Sequence, residues 1–437
     1  MKKYDKYKQS GIEWLGEIPI EWQVKPLRAV LKQRNEKNDP LKTEQILSLS
    51  IANGVTLYSH KGRGGNKAKE DLSAYKIAYE GDIVMNSMNV IVGAVGLSKY
   101  KGAISPVYYA LYPINEFVDI KYFEKIFRSK AFQRFLMIYG KGILIKKSTS
   151  GKLNTIRMKI STNDLKITLL PTPSIEEQKV IGQYLDCKLK DIDKIINNKQ
   201  KYVSLLKEFK QSKINELVTK GLNVNMKESG IRWLGKIPAT WEVIKIKNIA
   251  SVITGKTPPT EVRKYYEGNL DIDWVTPSDF QGDEIVSSAK RLNKVVIEDK
   301  VIPIFRANSV LLIGIGGTIG KVVIARFEGG CNQQINAIEG DIQKVVPEFL
   351  MYQLRLIGNT ITEWANYTTL PILTKEDTRN LFVALPTILE QQSIIVEAQI
   401  LTSKIQVMIN NAVSQIDLIR QYRQSLIYEL VTGKRKP

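Results

Sequence analysis

The residue types that carry metal and nucleophilic chemistry are rare in this chain. Its 437 residues include one histidine, His60, and two cysteines, Cys187 and Cys331. A zinc cluster, a disulfide framework or more than one histidine-based catalytic site needs more of these residues than the chain has. A surface imidazole and two unreactive thiols are therefore expected, and most metal and catalytic-triad chemistry is excluded.

A glycine-rich run at residues 314–321 has the composition of a phosphate-binding loop but not its spacing. Ile stands at 315 and Val at 322, where the Walker motif requires Gly and Ser or Thr. The run predicts a tight glycine turn between two strands instead. Two acid-x-Lys sequences, 119–121 and 298–300, lack the paired Pro-Asp of a nuclease site. No Asn-Pro-Pro-Tyr methyltransferase signature occurs either, so catalysis by this chain is not expected.

The charge balance favours a polyanionic partner. Lys and Arg number 64 against 44 Asp and Glu, a formal net charge of +20. Such an excess suits nucleic acid or an acidic membrane surface. No apolar run approaches the roughly 18 residues of a spanning helix, and the N-terminal residues lack the apolar stretch of a signal peptide. We expect a cytoplasmic protein that binds nucleic acid and no membrane.

The positive charge is concentrated in the first part of the chain. Residues 1–173 contain 29 basic and 15 acidic residues, whereas residues 221–386 contain 19 and 18. Loops 60–69 and 140–152 mix cations with small hydrogen-bonding residues, which suits phosphate contact and base-edge recognition, although solvated lysine-rich loops are the alternative. The second region would bind DNA with fewer ion pairs. The predicted DNA-binding residues are Lys61, Arg63, Lys67, Lys69, Lys146, Lys147, Ser148, Thr149 and Lys152 in the first region, and Lys256, Arg263, Lys264, Thr276, Ser278, Tyr367 and Thr368 in the second.

An internal repeat determines the expected architecture. The sequence SGIEWLGEIPIEWQV at residues 10–24 returns as SGIRWLGKIPATWEV at residues 229–243. A second matching pair, 173–178 and 386–391, is offset by 213 residues. The stretches between these marks share little sequence. The chain is thus predicted to contain two copies of a constant frame, each holding a different insert.

The closing segment of each copy predicts a long helix. Ser174 and Thr387 each stand three residues before a glutamate, Glu177 or Glu390, as in a capping box. Each helix of about 45 residues would be about 68 Å long. Apolar residues recur near a 3.5-residue spacing, which favours an antiparallel coiled coil related by a pseudo-two-fold axis. The predicted seam is Ile181, Leu185, Leu189, Ile192, Ile196, Val203, Leu206, Phe209, Ile214 and Leu217 in the first helix, and Ile394, Ala398, Leu401, Ile405, Ile409, Ile416, Ile419, Tyr422, Ile427 and Leu430 in the second.

The inserts predict mixed structure. Apolar β-branched runs punctuated by Gly and Pro indicate strands at 83–85, 90–97, 107–112, 309–314 and 322–325, and helical runs at 122–139 and 348–364 follow them. The predicted fold is α+β, with two α/β lobes separated by two long antiparallel coiled-coil helices. The predicted divisions are 1–173 for lobe one, 174–220 for the first helix, 221–386 for lobe two and 387–437 for the second helix.

Taken together, these features resemble the specificity subunits of type I restriction-modification enzymes. The resemblance rests on the doubled opening segment, the Leu-Pro sequences that lead into the capped helices, and the stretches 45–50, 273–279 and 332–338. It covers the chain end to end. The resemblance implies that each lobe is a target-recognition domain reading one half of a split double-stranded DNA sequence in the major groove, while the helices set the spacer.

The resemblance also implies partners. Two modification subunits would bind S-adenosylmethionine and methylate adenine, and restriction subunits would use ATP and Mg²⁺, so no cofactor is expected on this chain. The helices and opening segments would dock the modification subunits. The candidate docking residues are Trp14, Trp22, Trp233, Trp241, Glu177, Gln178, Glu390 and Gln391.

Two alternatives remain open. A self-sufficient DNA methyltransferase or nuclease would modify or cleave DNA as the purified chain alone. A non-catalytic coiled-coil protein that bridges DNA would show no sequence preference and no modification partner. The near-neutral charge of the second region argues against equally strong binding of DNA phosphates by the two lobes.

Overall fold

The computed structural model describes residues 2–51, 53–60, 68, 70–89, 93–140, 159–222, 225–231, 233–365 and 372–437. The chain forms two compact units. Unit 1 comprises Met1–Gln200 and Val413–Pro437, and unit 2 comprises Lys201–Ala412. Each long helix is shared between the two units, so the four-segment division of the chain stays a prediction.

Unit 1 is built around an antiparallel sheet. Its described strands are β1 (Tyr7–Gln9), β2 (Glu17–Pro19), β3 (Gln23–Pro26), β4 (Leu31–Arg34), β5 (Leu47–Ser50), β6 (Gly54–Leu57), β7 (Lys76–Ala78), β8 (Ile83–Asn86), β9 (Val95–Leu97), β10 (Gly102–Ile104), β11 (Tyr108–Pro113) and β12 (Leu169–Thr172). The central sheet has the order β4-β11-β8-β9, and the pairs β1-β2, β3-β12, β5-β6 and β7-β10 surround it.

Short helices cover this sheet. The described short helices are α1 (Ile120–Arg128), α2 (Lys130–Leu136) and α3 (Thr162–Ile167), and the long helix α4 (Ile175–Lys220) follows them. The single helix predicted at 122–139 is thus two, because the backbone of Ser129 is extended, with φ −70° and ψ 126°. Phe123, Phe127 and Phe132 are fully buried in the core that these helices form with the sheet and with the end of the second long helix.

Unit 2 repeats this plan with a larger sheet. Its described strands are β13 (Met226–Glu228), β14 (Lys236–Pro238), β15 (Glu242–Lys245), β16 (Ala250–Thr254), β17 (Leu270–Val275), β18 (Glu284–Ile285), β19 (Arg291–Asn293), β20 (Ser309–Ile313), β21 (Val322–Ala325), β22 (Gly329–Cys331), β23 (Ile335–Gly340) and β24 (Phe382–Leu385). The sheet β16-β23-β20-β21-β18 is antiparallel except for the β18-β21 pair, and β19-β17-β22 form a second sheet.

Four helices complete the description of unit 2: α5 (Val295–Glu298), α6 (Pro347–Ala365), α7 (Lys375–Asn380) and α8 (Ile388–Val431). The glycine run forms the turn between β20 and β21, as its spacing predicts. Gly316 and Gly320 have φ of 101° and 84°, a region that favours glycine over residues with a Cβ. Gly320 also packs directly on the backbone of Gly358 in α6, which leaves no room for a side chain.

The two long helices have the predicted lengths and pair in antiparallel fashion. α4 has 46 residues and α8 has 44. Within unit 1, Arg423 of α8 lies 3.3 Å from Asp193 of α4, and Lys199 donates to Gln415 at 2.6 Å. Within unit 2, Leu206 packs with Ile405 and Ile409 in a separate apolar cluster. The predicted antiparallel pairing of the two helices is therefore confirmed.

Two residues of the predicted seam lie outside it. Phe209 is 49% exposed and Tyr422 is 55% exposed. The strict 3.5-residue spacing drifts around a 3.6-residue helix, so these two positions turn toward solvent. Leu205 and Leu418, one helical turn earlier, are also exposed. We call Leu205 with Phe209, and Leu418 with Tyr422, the outer apolar pairs; they stand 213 residues apart.

Each insert is closed at its base by two strands of the frame. In unit 1, β3 pairs with β12, so that Pro26 lies opposite Leu169. In unit 2, β15 pairs with β24, and Lys245 lies opposite Phe382. The first and last residues of each insert are consequently neighbours.

Candidate nucleic-acid interface

The rare chemical residues do not form a reactive site among the described residues. His60 and Cys187 are exposed, and Cys331 is buried. Burial raises the pKa of the Cys331 thiol to about 12, which keeps it protonated and unreactive. No group of three or more His, Cys, Asp or Glu side chains in the described part of the chain could hold a metal ion. None of the described helices is long and apolar enough to span a membrane.

Many of the predicted DNA-binding residues fall outside the described ranges. They are Lys61, Arg63, Lys67, Lys69, Lys146, Lys147, Ser148, Thr149, Lys152, Tyr367 and Thr368. The candidate interface that the structure describes is therefore the one in unit 2.

A tight turn between β22 and β23 forms the centre of that interface. Asn332 Oδ1 accepts a hydrogen bond from the backbone N–H of Gln334 at 3.1 Å, and the backbone N–H of Asn332 donates to Val275. This side-chain turn fixes the backbone locally. Asn332 is thereby buried, while the side chain of Gln333 is exposed.

The loop after β16 packs against this turn. The backbone N–H of Lys256 donates to the carbonyl of Cys331 at 2.9 Å, and Thr257 Oγ1 donates to Gln333 Oε1. A Cβ on Gly255 would collide with the carbonyl oxygens of Cys331 and Asn332, so only glycine permits this approach. The exposed Lys256 side chain and the Gln333 amide are thus brought together.

The segment after β17 contains the predicted residues Thr276 and Ser278. It is joined to the turn between β22 and β23 by the hydrogen bond from the backbone N–H of Asn332 to the carbonyl of Val275. Thr276 is buried, and its backbone N–H and hydroxyl both donate to Asp279 Oδ2, at 2.8 and 2.9 Å. Ser278 hydrogen-bonds Thr276 at 2.7 Å but remains exposed. Of these two predicted contacts, Ser278 alone presents its side chain to solvent.

The glycine turn adds a fourth segment. Gln334 Nε2 donates to the carbonyl of Ile315 at 3.4 Å, and Gly317 and Thr318 are exposed beside it. We call Lys256, Thr257, Ser278, Gln333 and Gln334 the polar edge of unit 2. Gln333 and Gln334 are not among the residues predicted to bind DNA, although the sequence offers a signal in the amide-rich Asn-Gln-Gln turn between two apolar strands.

Arg263 and Lys264 lie apart from the polar edge. They are on a short 3-10 turn, Arg263–Tyr265, and no described hydrogen bond or ion pair joins them to the polar edge. Both side chains are exposed, and Lys264 Nζ pairs with Asp299 at 2.5 Å. Their assignment to DNA stays a prediction.

The near-neutral charge of unit 2 follows from its similar numbers of basic and acidic residues, and several of its arginines are paired with acids within the unit. Arg326 bridges Glu284 and Glu348 at 2.5 and 2.6 Å. Arg291 pairs with Asp273 at 2.9 Å, beside the polar edge. Burial acts to raise the pKa of Asp273, but hydrogen bonds from Arg291 and Ser288 outweigh it and hold that pKa below its ordinary value.

Trp22 and Trp241, which occupy equivalent positions in the two opening segments, each bind the first turn of a long helix; we call this contact the clasp. Trp22 Nε1 donates to Glu177 Oε2 at 2.9 Å, and Trp241 Nε1 donates to Glu390 Oε1 at 3.0 Å. Both indoles are fully buried. In unit 1, Tyr4 also donates to Glu177, and the pKa of Tyr4 is raised by its burial and by that carboxylate. The backbone N–H groups of the glutamates bond Ser174 and Thr387 as helix caps, at 3.3 and 3.4 Å.

The glutamines next to these glutamates act inside the units as well. Gln178 accepts from the backbone N–H of Asp119 at 2.9 Å and donates to Pro173. Gln391 accepts from the backbone N–H of Val346 at 2.8 Å and donates to Lys344 and Pro386. Each glutamine thus ties the first turn of a long helix to the start of the helix that follows the sheet.

The other two tryptophans of the opening segments, Trp14 and Trp233, form no described hydrogen bond to a carboxylate like those of Trp22 and Trp241. Trp14 is buried against Phe132, with ring centroids 5.1 Å apart, and Trp233 is half-buried. Most of the predicted docking side chains are therefore occupied within the chain. Their docking role stays a prediction.

Comparisons with known proteins agree with this geometry. Residues 238–414 match the family described as the type I restriction modification DNA specificity domain. The chain is 24% identical to a protein of Methanocaldococcus jannaschii named as the MjaX type I restriction enzyme specificity subunit, over 99% of this chain and 97% of that protein. It is 23% identical to the MjaIX specificity subunit of the same organism, over 96% and 95% of the two chains.

Solved structures share the fold. A chain from a structure of a type I restriction-modification system, described for its complex assembly and conformational transition, superposes with a TM-score of 0.69 at 15% identity, covering 96% of this chain and 99% of that one. The HsdS subunit of Thermoanaerobacter tengcongensis gives 0.54 at 16% identity, covering 96% and 98%. With its doubled frame, its differing inserts and these matches, the chain is similar over nearly its whole length to type I restriction-modification specificity subunits.

Proposed function

We propose that this chain selects the DNA target of a type I restriction-modification complex, with each unit recognising one half of a split double-stranded sequence. The observation that supports this most directly is the combination of identical frames and different inserts. Each unit has the same clasp and the same closing strands, yet the sheets they hold differ in strand number and order. Two different recognition surfaces on equivalent frames suit an asymmetric, bipartite target.

The chemistry of the polar edge suits base recognition. Glutamine amides can make paired hydrogen bonds with base edges in the major groove, and a lysine such as Lys256 can bind the neighbouring phosphate. Gln333 is exposed but positioned by Thr257, and Gln334 is positioned by Ile315. Because the turn that carries both amides is fixed by hydrogen bonds, little side-chain freedom is lost on binding.

The long helices would set the distance between the two half-sites. DNA presents the same face about every 34 Å, so a fixed separation of two readers selects a fixed spacer. Lengthening α4 and α8 together, in register, should change the spacer and leave both half-sites unchanged. An unchanged spacer in a methylation assay would contradict this ruler.

The outer apolar pairs are the best-placed docking surfaces for modification subunits. They are exposed, and they occur at equivalent positions of the two helices, Leu205 with Phe209 and Leu418 with Tyr422. Two equivalent surfaces fit two copies of one partner. Restriction subunits would join the resulting complex.

Catalysis would belong to those partners. The modification subunits would bind S-adenosylmethionine and methylate adenine, and the restriction subunits would use ATP and Mg²⁺. The contribution of this chain would be to bind DNA, to position the partners and to select the sequence. It would not itself be an enzyme.

Single-molecule methylation sequencing tests the proposal. DNA would be sequenced from cells that express this chain with a candidate modification subunit, each protein alone, or neither. A methyladenine motif split by a fixed spacer, found only with both proteins, is the expected result. Methylation by this chain alone would favour a self-sufficient enzyme, and no motif with both proteins soluble would favour a bridging protein.

A further inference from the structure

A basic cleft lies in unit 1 where α1 and α2 meet the long helices. Two adjoining cavities of about 390 and 570 Å³ share Arg128, Asp193, Asn197 and Arg423 in their walls. Seven cationic and two acidic side chains line the two cavities. Such a concentration of one charge in a concave surface attracts anions.

The innermost charges of the cleft are already paired. Lys125 contacts Glu124 and Asp186 at 2.8 and 2.6 Å, and Arg128 contacts Glu124 at 2.7 Å. Arg420 pairs with Asp417 at the surface. The seven cations of the cleft still outnumber the four acidic residues that line it or pair with it, which are Glu124, Asp186, Asp193 and Asp417. The excess therefore lies toward the rim, where Lys130, Lys190 and Lys194 are exposed.

One donor in the wall of the cleft lacks a hydrogen bond. Arg423 Nε is buried and forms none with the described residues, although Asp193 Oδ1 lies 3.3 Å away. Asp193 is 55% exposed and its contact with Nε is long, so an oxygen of a ligand that enters the cleft could complete the hydrogen bonding of this guanidinium. Amide groups of Asn197 and Gln200 stand beside it as further donors.

Unit 2 has an equivalent cavity that lacks this charge. It has a volume of about 450 Å³, and its charged lining residues are the cations Lys321 and Arg355 and the acid Asp283, with Gln211 beside them. Asp119 and Val346 are equivalent positions, since each backbone N–H donates to the glutamine of its frame. Arg128 and Arg355 follow these positions by the same number of residues, and Gln211 stands 213 residues before Gln424. The Arg355 guanidinium is fully occupied by Asp283 and by the carbonyls of Val322 and Gly282.

We propose that the basic cleft of unit 1 binds phosphate groups of the DNA backbone without reading sequence, and that unit 2 has no equivalent grip. The inference rests on the proposed function and goes beyond it, because it assigns contacts to helix residues outside either insert. Arginine and amide donors match phosphate oxygens, and these contacts fix register and affinity, not specificity.

The test variant loses two cations at the rim of the cleft, and it is compared with a control variant that loses two cations in unit 2. Lys194→Gln/Arg420→Gln is the test variant. Lys207→Gln/Lys404→Gln is the control, since Lys207 stands 213 residues before Arg420 and both lysines are exposed on the same two helices. Each full-length chain, assembled with its modification subunits, is titrated with a fluorescein-labelled 40-base-pair duplex of mixed sequence between 50 and 200 mM salt.

The test variant should show a salt dependence of log Kd that is shallower by about 1.8, because each phosphate contact contributes about 0.9. Its Kd at 100 mM salt should rise about tenfold, and the control should keep the wild-type slope. A test variant with the wild-type slope, or a control that changes equally, would overturn the proposal. All three proteins should share one melting temperature, because the substituted side chains are exposed.

Two further outcomes distinguish a failure of this proposal from a failure of the proposed function. If the wild-type complex itself does not bind duplex DNA, the proposed function fails as well. If the wild type binds DNA and the test variant loses only its co-elution with the modification subunit, the cleft binds an acidic protein surface, and the phosphate assignment is wrong.

Discussion

The indole of Trp22 and the carboxylate of Glu177 are 155 residues apart in sequence but joined by a buried 2.9 Å hydrogen bond. Trp241 and Glu390 repeat the contact in unit 2. The bond fastens the opening segment of each frame to the first turn of its long helix. The constant part of the chain is thus a set of interactions that hold a recognition sheet at a fixed place on a helix.

Removing this clasp should destabilise the unit that contains it. Trp22→Phe keeps an aromatic ring but leaves a cavity and removes one of the hydrogen bonds that the Glu177 carboxylate accepts, and we expect a loss of about 2–4 kcal/mol in the free energy of unfolding. Trp241→Phe should cost a similar amount. Urea titration followed by circular dichroism measures both. Trp233→Phe, at a half-buried indole, serves as the control, and an equal loss there would contradict the clasp.

The buried glutamine of each frame should be as sensitive. Gln391→Leu preserves volume but leaves the N–H of Val346 and the carbonyls of Lys344 and Pro386 without their partner. We expect a loss of about 3–5 kcal/mol, because each abandoned buried group costs about 1–3 kcal/mol. Gln406→Leu, at an exposed position of α8, should change stability by less than about 0.5 kcal/mol. Comparable losses in the two variants would refute the assignment.

Unit 2 should lose stability in acid partly through Asp273. Its folded-state pKa lies below the ordinary value, so its carboxylate contributes stability above about pH 4 that disappears as the pH falls through the folded pKa. Asp273→Asn should be less stable than wild type at pH 7, yet its stability should fall less between pH 5 and about pH 2. Thermal melts across this range give the two slopes. Parallel slopes would show that Asp273 does not contribute.

The polar edge should separate specificity from affinity. Gln333→Ala should relax the sequence preference at one position of one half-site, with a cost of about 1–3 kcal/mol against the preferred base. Lys256→Gln should weaken binding to all sequences alike and reduce the salt dependence by about 0.9. Methylation sequencing reports the first effect and duplex titration the second. A changed base preference in Lys256→Gln with none in Gln333→Ala would reverse the assignment.

The outer apolar pairs should control assembly independently of one another. Leu205→Glu/Phe209→Glu should abolish docking of one modification subunit, and Leu418→Glu/Tyr422→Glu that of the other, because a charged residue cannot be buried cheaply in an apolar contact. Size-exclusion chromatography with light scattering should show one partner lost in each double variant and both in the quadruple variant. Glu substitution at exposed Lys179 and Lys404 provides the control. Full assembly by the quadruple variant would exclude these surfaces.

The repeat and the helices could be predicted from the sequence because both are local signals. Matching segments, capping residues and apolar spacing were sufficient to place both ends of α4 and the start of α8 within one residue, whereas α8 ends at Val431, six residues before the predicted end. The strands at β20 and β21 were equally visible, as apolar β-branched runs on either side of a glycine turn. The fold class followed from these elements.

Contacts between distant segments could not be predicted in this way. The convergence of Lys256, Ser278 and Gln333 depends on the packing of three loops, and no spacing rule encodes it. The break at Ser129 has neither Pro nor Gly to announce it. Phe209 and Tyr422 have the composition of core residues, and their equivalent exposure became apparent only when the two helices could be compared in three dimensions.

The closure of each insert by adjacent strands has an evolutionary consequence. Because β3 with β12, and β15 with β24, bring the two ends of an insert side by side, the chain enters and leaves each insert at one place, and the insert's other contacts with the frame are non-covalent. Recombination at these strands could replace a whole recognition sheet without disturbing the clasp or the helices. A bacterium or archaeon with such a gene could acquire a new DNA target in one genetic event, and the partner subunits would follow it without further change.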